Sequence, residues 1–141
     1  MVITFGEYEL DDDRLRVDRA ALWSFLSQEA YWARWRSRDV VESQLDSAWR
    51  IVAGYETATG RMVGFARAFS DGVALAYLAD VYVDRPARGH GLGGRLVQAM
   101  VEDGPGPDFR WMLHTADAHG LYARFGFASP DPTCMERPSR R

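Results

Sequence analysis

The sequence predicts a single α/β domain with a mixed, mostly antiparallel sheet. Two β-rich runs, Arg50 to Glu56 and Met62 to Phe69, flank Thr57 to Gly60, a segment typical of a hairpin turn. A second turn, Asp71-Gly72, leads into a third run from Val73 to Val83. With 141 residues, the chain is long enough for one packed core and too short for two ordinary domains.

The N-terminal part predicts one strand and two helices. Ile3 to Leu10 alternates loosely between apolar and polar residues, which favours a first strand. Asp18 is placed to cap a helix that ends near Glu29, and Ser37 is placed to cap a second one. The apolar faces of these helices comprise Ala21, Leu22, Phe25, Leu26, Val41, Leu45 and Ala48.

The C-terminal part predicts a strand, a short helix and a tail. Arg110 to His114 is a strand candidate, and Thr115 or Asp117 can cap the helix that Gly126 ends. The proline-containing tail has room for one short strand around 133–137.

Composition excludes several classes of protein. A net charge of -3 gives no reason to expect nucleic acid or an anionic membrane as the main partner. Cys134 is the only cysteine, so neither an intramolecular disulfide nor a cysteine-rich zinc site can form, and no metal site is expected. No leader pattern and no apolar run of membrane-spanning length are present, which predicts a cytoplasmic protein.

The stretch from Leu78 to Gly94 predicts a phosphate site. Its β-type run ends at Asp84-Arg85-Pro86, and apolar residues at helical spacing begin at Gly91 or Leu92. The first amides of that helix lack carbonyl partners, and the glycines before it leave room for an anion. Arg88 adds a fixed positive charge.

A dinucleotide site is one reading of this loop. Gly89-x-Gly91-x-x-Gly94 matches the dinucleotide fingerprint, and Asp117 follows at a tolerable distance. That fingerprint opens a repeated parallel βαβ fold, whereas here a predicted antiparallel hairpin precedes it and little chain follows. The context therefore disfavours a dinucleotide-dependent oxidoreductase.

Two motifs together indicate another family. Arg88-Gly89-His90-Gly91-Leu92-Gly93 resembles the R/Q-x-x-G-x-G/A signature of the GNAT superfamily of acyl-CoA-dependent N-acyltransferases, and Asp117 to Phe127 resembles its closing helix with a tyrosine and a G-F pair. The resemblance implies a sheet split after the third run and acetyl-CoA as cosubstrate. It implies a coenzyme site formed by Val81, Tyr82, Val83, Arg88, Gly89, His90, Gly91, Leu92, Gly93 and Gly94.

Acylation of an amine by a thioester needs a proton donor for the departing thiolate and a base for the amine. Tyr122 occupies the tyrosine position of the family motif, and a phenol is protonated at neutral pH, so it is the candidate acid. Asp80 is the candidate base or amine anchor, placed by alternation on the same side as Leu78 and Tyr82; a buried structural carboxylate is the alternative. His114 and His119 are further base candidates.

The aromatic and cationic segment between the first two helices is the candidate acceptor wall. The resemblance implies that Tyr31, Trp32 and Trp35 border the acceptor pocket, which would suit an aromatic or apolar primary amine, and Glu29 could anchor a cationic one. The alternative is that these rings only pack against the sheet. A non-catalytic acyl-CoA-binding sensor also fits the motifs, and the aromatic content leaves room for a homodimer.

Overall fold

One six-stranded sheet, with its strands in chain order, forms the centre of the molecule. A computed structural model describes residues 1–28 and 35–141. The strands are β1 (Val2–Phe5), β2 (Tyr8–Asp11), β3 (Arg50–Glu56), β4 (Met62–Ser70), β5 (Leu75–Val83) and β6 (Arg110–Met112). The helices are α1 (Arg19–Gln28), α2 (Arg38–Ser47), α3 (Leu92–Val101) and α4 (His119–Ala123), with 3-10 turns at Arg14–Arg16 and Arg85–Ala87.

The sheet is antiparallel from β1 to β5, and only β6 pairs in parallel with its neighbour. This confirms the mixed, mostly antiparallel sheet. The parallel βαβ repeat that a dinucleotide fold requires does not occur among the described residues. None of the described helices is long and apolar enough to cross a membrane.

The N-terminal segment corrects one prediction. Residues 3–10 do not form one strand, because the chain reverses at Gly6, whose φ of 58° lies in the left-handed region. The result is a hairpin in which Phe5 pairs with Tyr8. The loose alternation of the sequence therefore covers two short strands.

Both predicted helix caps in the N-terminal half are confirmed. The Asp18 carboxylate accepts a hydrogen bond from the Ala21 amide at 3.0 Å, and the Ser37 hydroxyl accepts one from the Val40 amide at 3.3 Å. The helices cover one face of the sheet, where their apolar sides meet Ile51, Ala53, Tyr55 and Phe65. On the opposite face, α3 and α4 pack over a second cluster that includes Leu10, Val52, Val63, Ala66, Leu78, Leu96, Val97, Met100 and Tyr122.

A β-bulge in β5 shapes the site. Arg67 of β4 pairs with Asp80 and the next residue, Ala68, pairs with Leu78, so Ala79 is an extra residue. The bulge inverts the alternation of side chains. Leu78 packs in the cluster under α3, whereas Asp80 contacts Arg36 next to α2. Placing Asp80 on the same side as Leu78 was therefore wrong, whereas Asp80 does share a side with Tyr82, which stacks on Phe25 of α1.

The C-terminal segment departs from two expectations. β6 ends at Met112 rather than His114, and residues 133–137 form no strand. Proline lacks the amide donor that a sheet ladder needs, and the tail contains Pro130, Pro132 and Pro138. The tail instead runs without regular structure, which leaves its side chains available to the cleft described below.

Candidate active site

A cleft of about 630 Å³ opens where β5 separates from β6. The two strands pair only from Leu75 to Tyr77, and no described strand pairs with this edge of β5 beyond that point. This confirms the predicted split. The cleft is lined by Trp35, Arg36, Gln44, Arg67, Phe69, residues 77–81, residues 114–118 and Tyr122.

Backbone amides of the separated part of β5 point into the cleft. Before the bulge, the Ala74 carbonyl faces β6 and accepts from the Arg110 amide at 2.8 Å. After it, the Asp84 amide faces β4 and donates to the Val63 carbonyl at 2.8 Å. Because alternate residues point their amides the same way, those of Val81 and Val83 face the open edge.

Tyr82 and Leu92, which were also predicted for the coenzyme site, have their side chains in the core. The same alternation turns the Tyr82 amide towards β4, and the Tyr82 ring is buried, stacking on Phe25 of α1 with centroids 4.7 Å apart. Leu92 is also buried, in the core under α3. Neither side chain reaches the cleft, so Leu92 can contribute only its backbone amide at the helix start.

The glycine-rich loop has the backbone that an anion site needs. Gly89 and Gly91 adopt φ values of 83° and 82°, a conformation that other residues rarely adopt. Gly91 is the N-cap of α3 and provides no side-chain hydrogen bond, which leaves the first amides of the helix available. Arg88 donates from Nε to the Val83 carbonyl at 2.8 Å, and its terminal nitrogens bond to none of the described residues.

Arg124 brings a second cation to this loop, and the sequence analysis did not identify it. A Cβ atom at Gly94 would lie 3.0 Å from Nη2 of Arg124, so the guanidinium crosses the first turn of α3. His90 is exposed, with its ring 6.4 Å from that of Tyr8. Gly93 faces Val83, whose methyl would be 3.7 Å from an added Cβ. Arg124 lies beside the loop only because α4 packs against α3, and no local sequence pattern indicates that contact.

Tyr122 reaches the cleft from the helix opposite β5. Its side chain is largely buried, lines the cleft, and meets Phe127 edge-on at 5.9 Å. Burial raises the pKa of its phenol above 10, and the nearby charge of Asp117 adds to the effect. The hydroxyl is therefore protonated at neutral pH, and it bonds to no described residue.

Asp80 lies at the floor of the cleft between two arginines. Its carboxylate accepts from Nη1 and Nη2 of Arg36 at 3.0 and 2.9 Å and from Nε of Arg67 at 2.9 Å. Burial would raise the pKa of Asp80, but the Arg36 hydrogen bonds and the charges of both arginines outweigh burial and lower it. A carboxylate held in this way accepts a proton poorly, which favours the structural alternative over the role of base.

Three residues form a hydrogen-bonded chain at the rim of the same cleft. The Tyr77 hydroxyl lies 2.5 Å from Nδ1 of His114, and Nε2 of His114 is hydrogen-bonded to the carboxylate of Glu136 from the C-terminal tail. A carboxylate only accepts, so Nε2 carries the hydrogen and Nδ1 accepts from Tyr77. Spacing along the chain gave no sign that Glu136 meets His114.

The aromatic side chains of the cleft come from both sheet and loop. Phe69 and Tyr77 stack at 5.1 Å, and Trp35 lines the cleft under the guanidinium of Arg141, which lies 4.3 Å from its ring centroid. The role of Trp35 in an acceptor wall stays a prediction. Glu29, Tyr31 and Trp32, also predicted for this wall, lie outside the described residues.

Comparisons with known proteins agree on one family. The family model described as the acetyltransferase (GNAT) family matches residues 8–127. A GNAT-family protein of Xanthomonas campestris pv. campestris superposes with a TM-score of 0.87 at 33% identity, with 96% of each chain covered.

More distant structures share the fold. A GNAT-family acetyltransferase of Streptococcus pneumoniae has a TM-score of 0.69 at 19% identity over 100% of both chains. Glucosamine-6-phosphate N-acetyltransferase of Arabidopsis thaliana has a TM-score of 0.60 at 14% identity, covering 95% of this chain and 99% of its own. A search of curated proteins gave no match.

Proposed function

This chain belongs to the acetyltransferase (GNAT) family, and we propose that it transfers an acetyl group from acetyl-CoA to a primary amine by direct attack in a ternary complex. One observation carries the proposal: the open edge of β5, the glycine loop and Tyr122 meet around one cleft. Acetyl-CoA supplies an activated acetyl thioester with a pyrophosphate handle, and the described residues offer a complementary group for each part.

The glycine loop and two arginines fit the pyrophosphate. The uncapped amides at the start of α3 donate to anions, and Arg88 and Arg124 add positive charge beside them. The amides of Val81 and Val83 would bond the pantetheine arm and polarise the thioester carbonyl. An anion-binding loop at the end of a half-open strand favours a coenzyme A ester over a free nucleotide.

Tyr122 is proposed to protonate the departing thiolate. Its phenol keeps its proton at neutral pH because burial raises its pKa, and its hydroxyl has no competing partner among the described residues. The proton moves from the Tyr122 hydroxyl to the sulfur as the carbon–sulfur bond breaks.

The proton of the acceptor amine has two proposed destinations. Asp80 remains a candidate, although its three arginine hydrogen bonds oppose proton uptake. The geometry favours His114: Tyr77 can take a proton from the amine while its own proton passes to Nδ1 of His114, and Glu136 stabilises the imidazolium that results.

The pair Tyr122→Phe and His114→Gln tests these roles. We expect both variants to keep acetyl-CoA affinity while thiol release with an accepted amine falls. Unchanged turnover in either variant would remove that residue from its role. Loss of activity in Asp80→Asn without loss of stability would return the base role to Asp80.

Three further expectations stay predictions. They are a cytoplasmic location, the absence of nucleic-acid and membrane partners, and homodimer formation. Acetyl-CoA binding without turnover with any amine would favour the sensor over the transferase.

A further inference from the structure

Among the residues that the structure describes, buried positive charge exceeds buried negative charge at the floor of the cleft. The side chains of Arg36 and Arg67 are 4% and 8% exposed, and that of Asp80 is 3% exposed. Two guanidinium groups therefore share one carboxylate. Apart from the bonds to Asp80, these guanidinium groups make one described hydrogen bond, which Arg36 donates to the neutral amide oxygen of Gln44 at 2.6 Å.

Several donors of this cluster are unused. Nε of Arg36 is buried and has no hydrogen-bond partner, and Arg67 bonds through Nε alone, so its two terminal nitrogens donate to no described residue. An uncompensated buried charge is costly, and a planar guanidinium with two free donors matches a carboxylate or phosphate. Among the described residues, Asp80 is the only carboxylate paired with these two guanidinium groups, so the anionic group of a ligand could balance the second charge.

Arg67, whose two terminal nitrogens bond to no described residue, lies where the acceptor would bind. Arg67 lines the cleft opposite Asp80 at the bulge, next to the β5 amides that would face the thioester. The other charged or titratable side chains that line the cleft are Tyr77 of β5, at the rim, and His114, Asp117 and Tyr122, which lie on the β6–α4 segment across from β4. One side of the cleft is thus cationic, while the other offers groups suited to an amine.

We propose that the acceptor is an amine that also carries an anionic group, a carboxylate or a phosphate, and that Arg67 binds this group with Arg36 behind it. The proposal rests on the proposed transferase function, because it assigns the acceptor of that same cleft. It differs from the cationic or purely apolar acceptor that the sequence favoured. Arg67 then determines specificity, and the Phe69–Tyr77 stack forms the adjoining wall.

Matched amines test the proposal in the wild-type protein. The pairs are phenylalanine with phenylalaninamide, O-phosphoethanolamine with ethanolamine, and glucosamine 6-phosphate with glucosamine, each assayed by thiol release from acetyl-CoA. We expect the anionic member of at least one pair to have a kcat/KM about 10- to 100-fold above its neutral partner. The amino acid pair reports a carboxylate site, and the other two report a phosphate site.

Variants separate binding from folding. Arg67→Gln should raise KM for the preferred anionic amine about 10-fold or more with little change in kcat, while its neutral partner is unaffected. Arg67→Lys should restore part of the affinity, and the surface variant Arg19→Gln should change nothing. Equal use of charged and neutral members, or equal loss for both in Arg67→Gln, would overturn the proposal and leave the transferase intact.

A binding assay decides the case if no amine is acetylated. Calorimetry with N-acetylphenylalanine and N-acetylglucosamine 6-phosphate, against their uncharged analogues, needs no turnover. Preferential binding of an anion that Arg67→Gln abolishes would support the site even if the transferase function failed. Indifference to charge would refute it.

Discussion

Asp80→Asn is the perturbation that most clearly separates the structural role of this residue from a catalytic one. The substitution keeps the shape of the side chain and removes the one carboxylate that pairs with Arg36 and Arg67. Both guanidinium groups would remain buried without compensation. Removing one member of such a buried group costs about 3–5 kcal/mol of unfolding free energy.

The same loss of unfolding free energy in Asp80→Asn should lower the melting temperature. A chain of 141 residues has an unfolding entropy of about 0.3 kcal/mol per kelvin, so the melting temperature should fall by about 10–17 °C. Asp46→Asn is the matched control, because Asp46 pairs with Arg19 at 2.8 Å but its side chain is 67% exposed. That surface pair contributes at most about 1 kcal/mol.

Urea unfolding followed by circular dichroism, together with thiol release, measures both effects on one sample. We expect a large loss of stability, with activity lost in proportion to the folded fraction. An Asp80→Asn protein within about 1 kcal/mol of wild type that nevertheless released no thiol would refute this reasoning and identify Asp80 as the base.

Four further outcomes are expected. The pKa of Asp80 is lower in the folded chain than in the unfolded one, so the stabilisation from its carboxylate is present above about pH 4 and is lost as pH falls through the folded pKa. The unfolding free energies of the wild type and Asp80→Asn should therefore converge in acid. Tyr122→Phe should reduce kcat about 10²–10⁴-fold without weakening acetyl-CoA binding. Because the pKa of Tyr122 is raised, the wild-type kcat should fall only above pH 10, and a fall at lower pH would contradict the acid role. Gly91→Ala should cost about 1–2 kcal/mol and weaken acetyl-CoA binding in calorimetry, because φ is 82°, whereas Gly120→Ala, with open space around it, should do neither. Ser37→Ala should lower the unfolding free energy by about 1 kcal/mol, and no change would mean that the cap of α2 contributes nothing.

The parts of the fold that local patterns determine were predictable from the sequence. The hairpin at Thr57 to Gly60, the caps at Asp18 and Ser37, and the helix beginning after Gly91 all depend on residues close together in the chain. The split between β5 and β6 followed from the family resemblance rather than from any local pattern.

Features that depend on distant contacts could not be predicted. A bulge adds one residue to one strand, and alternation in β5 alone gives no sign of the extra Ala79. Arg36 is one charged residue among several in its segment, and only the fold brings it to Asp80 across 44 positions. Glu136 lies in a tail that forms no strand, contrary to the prediction for 133–137, and its contact with His114 spans 22 positions that no local pattern connects.

The most direct test of the central claim is the balance between thiol release from acetyl-CoA and N-acetylated product, measured by mass spectrometry with the matched amines. We expect one acetylated amine for each thiol released, with the rate lost in Tyr122→Phe. Saturable acetyl-CoA binding with no product from any amine, or thiol release without an acetylated amine, would contradict it.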